Sequence, residues 1–219
     1  MFWPGGLVCL GELDLQLLCC SVLVIAILVS TGALDTSYGY AAGYSRVSAG
    51  ANLNYTNLPI QMIYQTDGQI VFGGSAVAVV GNNSDYQYIL GRLNSDGILD
   101  DFFGTDGRVG VFQSIYNNGT AVNQTPDYIT NLILQSNGKI IGIGKTYGAD
   151  LNYDFSSFRV TPDGSLDNDY GSSGRMMYSI SGSSANTEGA VKQSDGKVII
   201  AGTVLVSGKA KFSAIKITP

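Results

Sequence analysis

From about residue 60 onward, short apolar, β-prone runs recur, each entered from a polar turn centred on glycine. Ile70 to Gly74, Ile140 to Gly144 and Val198 to Gly202 follow the pairs Asp67-Gly68, Asn137-Gly138 and Asp195-Gly196. Such pairs supply the positive backbone dihedrals of a tight turn, so each predicts the tip of a β-hairpin. Further strands are predicted over Tyr86 to Leu93, Phe155 to Val160 and Lys211 to Ile217, each ending at or beside an Arg or Lys. Two more follow a second glycine, over Gly107 to Phe112 and Gly174 to Ile180. With the strand ahead of each turn, a unit holds about four antiparallel strands, and no helix is expected between Met62 and Thr218.

The runs belong to an internal repeat. Gln65-Thr66-Asp67-Gly68-Gln69-Ile70, Gln135-Ser136-Asn137-Gly138-Lys139-Ile140 and Gln193-Ser194-Asp195-Gly196-Lys197-Val198 are versions of one phrase. A second phrase follows in step, from Arg92 through Asp96-Gly97 to Leu99-Asp100 and Phe103-Gly104, and from Arg159 through Asp163-Gly164 to Leu166-Asp167 and Tyr170-Gly171. An early copy reads Gly32-Ala33-Leu34-Asp35-Thr36-Ser37-Tyr38-Gly39, and Lys216-Ile217-Thr218-Pro219 begins the phrase once more. Asp35, Asp100 and Asp167 stand 65 and 67 residues apart. Four short strands per such period describe a propeller blade, which buries one sheet face against the next.

The expected fold is therefore all-β, a β-propeller-like repeat protein of four-stranded blades over residues 32–219. The repeats run roughly over 60–113, 130–180 and 188–219, with 32–50 available to complete the last. The two terminal fragments of the second phrase are complementary, so they are expected to close a small ring within one chain or to pair between chains at exposed blade edges.

The paired phrases resemble the delta-60 repeat, whose consensus joins Gln-x-Asp-Gly-Lys-Ile to Arg-Leu-x-x-Asp-Gly-x-Leu-Asp-x-x-Phe-Gly. The resemblance spans roughly Gly32 to Pro219. It implies propeller-like sheets, often in extracellular or envelope-associated bacterial arrays. It carries over no catalytic residue.

Residues 1–31 leave two readings open. Leu15 to Val29 is almost wholly apolar, as in a secretory leader or membrane anchor. Yet Glu12 and Asp14 precede it with no Lys or Arg before Arg46, and the run falls short of the roughly 18 to 20 residues of a spanning helix. Alternatively Gly5-Gly6-Leu7-Val8 is a degraded hairpin phrase, because Gly6 precedes Asp35 by the same 29 residues that separate Gly138 from Asp167. The segment is then a divergent first blade. All three cysteines, Cys9, Cys19 and Cys20, lie here, and nothing in the repeats depends on cystine.

Composition narrows the chemistry. With 29 Gly, 13 Tyr and only 13% charged residues, the surface is built from Asn, Ser, Thr, Gly and Tyr. A net charge of -5 argues against nucleic acid and anionic membrane as partners; a membrane enters only through an N-terminal anchor. The chain has no His, and no Cys beyond position 20, which removes the usual Ser-His and Cys-His nucleophile systems and His-based metal sites. Carboxylate chemistry survives, but Asp35, Asp100 and Asp167 occupy recurring positions where they hold turns or pair with the Arg eight residues earlier. Asp163, Asp167 and Asp169 gather in one loop without the spacing of an EF-hand, and the third carboxylate is not repeated in the other copies. Accordingly no catalytic, cofactor-binding or metal-binding residue is assigned.

Four Asn-x-Ser/Thr sequons, at Asn54, Asn82, Asn118 and Asn123, are close to the number chance supplies in so polar a chain. Tyr86, Tyr88, Tyr147 and Tyr153 suit sugar stacking or protein contact, although Tyr86 and Tyr88 also fit simple strand alternation. The first functional reading is a non-catalytic structural or adhesive module, extracellular or at the cell surface, presenting loops to a protein or glycan. The others are a propeller hydrolase or lyase using non-repeating paired carboxylates, and a self-assembling filament, envelope or virion subunit joined by blade edges.

Overall fold

A computed structural model of the chain describes residues 22–26, 30–40, 43–48, 58–80, 83–111, 127–148, 152–180 and 183–219. These form four antiparallel sheets and no helix. The first pairs β1 (Val22–Ala26) with β2 (Tyr44–Ser48). The second runs β3 (Leu58–Tyr64), β4 (Ile70–Val80), β5 (Asn83–Leu93), β6 (Arg108–Val111). The third repeats it with β7 (Tyr128–Leu134), β8 (Ile140–Tyr147), β9 (Tyr153–Val160) and β10 (Arg175–Tyr178). The fourth contains β11 (Ala185–Lys192), β12 (Val198–Val206) and β13 (Lys209–Ile217). The last three are up-and-down meanders, so the protein is all-β with propeller-like blades.

The hairpin tips lie where the turn phrases put them, with one difference in conformation. Only the glycine is left-handed, with φ of +87, +79 and +84° at Gly68, Gly138 and Gly196, while Asp67, Asn137 and Asp195 keep negative φ. The N–H of each glycine donates to the carbonyl of the Gln three residues earlier. The Asp or Asn then accepts the N–H two residues on, at 3.1, 3.2 and 3.1 Å. These are three-residue loops, a type I turn closed by a glycine bulge, and the acidic or amide residue acts as a side-chain cap.

Strands run longer than their sequence signals. β4, β8 and β12 continue past Gly74, Gly144 and Gly202, where the sequence runs end. Opposite each of these glycines the first strand of the sheet bulges, between Pro59 and Gln61, Ile129 and Asn131, and Thr187 and Gly189. The bulge presses backbone onto the neighbouring strand: a Cβ on Gly144 would stand 1.8 Å from the Tyr128 carbonyl oxygen, and one on Gly202 2.0 Å from that of Asn186. Glycine here marks close backbone approach inside a strand rather than its end. Gly144→Ala is therefore expected to destabilise by about 1 to 3 kcal/mol, the range for overpacking. Chemical denaturation would measure it, and an unchanged midpoint would refute the packing argument.

Successive sheets bury their faces on one another. One core joins Val71, Tyr88 and Leu90 of the second sheet to Ile129, Ile140 and Phe158 of the third. Another joins Ile141, Ile143 and Phe155 to Val198, Ile200 and Ile217 of the fourth, and a smaller one sets Tyr38 and Val47 against Ile70, Phe72 and Leu93. A recurring polar joint fixes the spacing: the Gly39 N–H donates to the Asp96 carbonyl and the Gly104 N–H to that of Asp163, both at 2.7 Å. The aromatic-glycine loop of one repeat thus sits on the Asp-Gly turn of the next.

Within this chain Tyr44–Ser48, the strand available to complete the last repeat, takes Val22–Ala26 as its partner. Residues 1–21, with the hairpin-like Gly5-Gly6 and the three cysteines, lie outside the described residues. No helix among those described is long and apolar enough to cross a membrane.

Candidate functional site

The repeating aspartates are structural anchors. Arg92 Nε donates to Asp100 Oδ2 at 2.7 Å, and Arg159 Nε to Asp167 Oδ2 at 2.6 Å. Each guanidinium also lies over the following aromatic ring, Phe103 at 4.5 Å and Tyr170 at 4.8 Å. The residue after the hairpin glycine closes the lock, Gln69 Nε2 reaching Asp100 at 3.2 Å and Lys139 Nζ reaching Asp167 at 2.7 Å. The two phrases recur together because their side chains meet on one carboxylate. Asp35 keeps only the turn function, accepting the Ser37 N–H at 3.0 Å.

The loop read as a possible calcium site is committed elsewhere. Asp163 caps its own turn through Thr161 and Ser165, Asp167 holds two cations, and Asp169 is exposed. Among the described residues no three Cys, Asp or Glu side chains gather as a metal would need. Of the non-repeating carboxylates, Asp127 and Asp154 are 0 and 3% exposed, with Thr146 Oγ1 donating to Asp127.

Of the four tyrosines singled out, Tyr88 is not a surface residue. It is fully buried, stacked on Phe158 with centroids 5.3 Å apart, and its hydroxyl donates to the Lys145 carbonyl at 2.9 Å. Burial pushes its phenol well above the usual range. The alternation reading was the correct one for this position. The Tyr86 side chain and all four sequons lie outside the described residues.

Tyr147 and Tyr153 face each other across the β8–β9 hairpin, edge to face at 5.2 Å, at the end of the sheet opposite the Asp-Gly turns. Beside them opens a groove of about 420 Å³ between the third and fourth sheets, lined by Tyr128, Thr130, Lys145, Asn186, Thr187 and Glu188 among others. Thr130 and Glu188 are the bulged residues of β7 and β11, so the same irregularity that packs the sheets re-aims one side chain from each toward the opening. Lys145 is half-buried, its ammonium 5.1 Å from the centroid of Tyr128 and 4.7 Å from that of Tyr153, and it donates to Asn186 Oδ1 at 2.5 Å. Desolvation lowers its pKa and the Glu188 carboxylate pulls it back up. Asn186 Nδ2 in turn donates to Glu188 Oε1, so the three side chains form one hydrogen-bonded chain along a recess flanked by aromatic rings.

The sequence did not single out Lys145. Its equivalents in the neighbouring repeats are Ser75 and Thr203, so a long cation at that register position was the available signal.

Residues 65–103 and 135–170 match a family model described as a domain of unknown function (DUF5122) beta-propeller. Each matched segment runs from the Gln of the first phrase to the aromatic residue of the second, so the two repeats are of β-propeller type. No curated protein matches the chain. Among solved structures the chain is similar to that of MPT-4, a mannose phosphorylase from Leishmania mexicana in complex with phosphate ion, with a TM-score of 0.36 and 14% identity. That alignment covers 90% of this chain and 62% of the other, so the chain spans less than two thirds of its length.

Proposed function

We propose that this β-propeller-type chain is a non-catalytic structural and adhesive module, extracellular or at the cell surface, and that it holds a glycan in the groove around Lys145. The observation that carries the reading is the hydrogen-bonded chain from Lys145 through Asn186 to Glu188 along the groove, with the lysine set against the half-buried rings of Tyr128 and Tyr153. Sugar hydroxyls both donate and accept, and a recess in which Glu188 opposes the lysine charge suits them better than it suits an anion. The tight use of Asp100 and Asp167 in structural locks favours a binding role over hydrolysis, as does the burial of Asp127 and Asp154.

A glycan array followed by titration of any hit tests this. Lys145→Ala and Glu188→Ala are each expected to weaken binding by about tenfold or more, equivalent to one or two lost charged hydrogen bonds, without altering the thermal midpoint greatly. An array with no hit, or a hit indifferent to both substitutions, overturns the proposal. Capture of a protein partner that Lys145→Ala abolishes would move the groove to protein recognition.

A further inference from the structure

The groove between the third and fourth sheets has a polarity. At one end the Lys145 ammonium, which can only donate, gives an N–H to Asn186 Oδ1. At the other end the Glu188 carboxylate, which can only accept, takes an N–H from Asn186 Nδ2. Asn186 is thereby fixed in one orientation, because turning its amide over would set oxygen against carboxylate and nitrogen against ammonium. Its position shows what the two charges select: a carbonyl turned to the lysine and an N–H turned to the glutamate. Neither end is used up. An ammonium carries three donors and a carboxylate about four acceptor sites, and among the described residues neither side chain makes a second hydrogen bond.

We infer that the groove takes an acetamido sugar, a hexose bearing an N-acetyl group, whose amide lies beside that of Asn186 between Lys145 and Glu188. The inference rests on the glycan reading of the groove and narrows it. A hydroxyl donates or accepts at either end, so a plain hexose gains nothing from the polarity. An acetamide has its acceptor and donor fixed, and alongside Asn186 it points its carbonyl at the ammonium and its N–H at the carboxylate. Both contacts are then charge-assisted, the stronger kind of hydrogen bond. The rest of the ligand falls where the walls suit it. The acetyl methyl is bonded to the carbonyl carbon and so lies at the lysine end, where the half-buried Tyr128 ring, its centroid 5.1 Å from Nζ, offers apolar surface. The sugar ring is bonded to the nitrogen and so lies at the glutamate end, where Glu188 is exposed and the remaining hydroxyls stay hydrated. A groove of about 420 Å³ falls within the roughly 300 to 1,000 Å³ of small-ligand sites.

Titration calorimetry of the full chain with the methyl glycosides of N-acetylglucosamine and N-acetylgalactosamine, beside those of glucose and galactose, tests the inference. An acetamido sugar should bind about tenfold or more tightly than its hydroxyl counterpart, and saturation-transfer NMR should be strongest at its acetyl methyl. Glu188→Gln, a change at an exposed side chain, puts a donor among the acceptors and should abolish that preference. Tyr128→Ala should weaken the acetamido sugars more than the plain ones, with an unchanged far-ultraviolet dichroism spectrum. Equal affinity for acetamido and hydroxyl sugars overturns the inference and leaves the glycan reading standing. A preference that survives Glu188→Gln overturns it too. If no sugar binds, the glycan reading itself falls and takes this inference with it.

Discussion

Phe158→Ala is expected to lower stability by about 3 to 5 kcal/mol, as large-to-small changes of fully buried aromatics do. The ring is 0% exposed, stacks on Tyr88 and fills the space over Gly142, where a Cβ would lie 2.2 Å from the ring. It joins the second sheet to the third, so its loss opens a cavity between two blades whose backbones are pinned by the joint from Gly104 to Asp163. Collapse is limited and the cavity term stays. A double-mutant cycle sharpens the test: Gly142→Ala alone should destabilise by clash, whereas in the Phe158→Ala background it should be neutral or restore part of the loss. Denaturant midpoints read all four corners. Additive effects would refute the packing.

Asp167→Ala is expected to cost about 2 to 3 kcal/mol, because it strips both Arg159 and Lys139 of their shared carboxylate and leaves a buried guanidinium unpaired. The lock lies near the rim, with the Lys139 side chain 25% exposed, so solvent screening keeps the cost below that of a deep pair. Burial pushes the Asp167 carboxyl up, but the hydrogen bonds from Lys139, Arg159 and the Asp169 N–H outweigh it and hold the pKa below the ordinary value of 3.8. A carboxylate with a depressed native pKa contributes stability that is fully present above its unfolded pKa and lost as pH falls through the native one. The stability gap between wild type and Asp167→Ala should therefore be constant near neutrality and shrink below about pH 4. Thermal melts across pH 2 to 7 check this, and a gap that grows in acid contradicts it.

Repeat period, strand count and turn positions were legible because they rest on local chemistry. A glycine that must adopt positive φ, an Asp that caps the N–H two residues on and an alternating strand all leave marks within a few residues. The Arg92–Asp100 and Arg159–Asp167 pairs were legible for the same reason, since eight residues of chain carry both partners back to one strand end. Strand lengths were misjudged where a glycine served a contact remote in sequence. Gly144 looks like a terminator until the bulged backbone of β7 is seen against it.

By itself, then, the sequence determined the all-β repeat, its punctuation and the structural use of its aspartates, each of which is set by neighbours along the chain. Only the tertiary structure decided which tyrosine is core and which lines an opening, because Tyr88 and Tyr128 differ in what the adjacent sheet lays over them. It also decided that Lys145, Thr130 and Glu188, drawn from three strands and two sheets, share one groove. The physical reason is that sheet faces are interchangeable in sequence, and burial is assigned only when one sheet stacks on another.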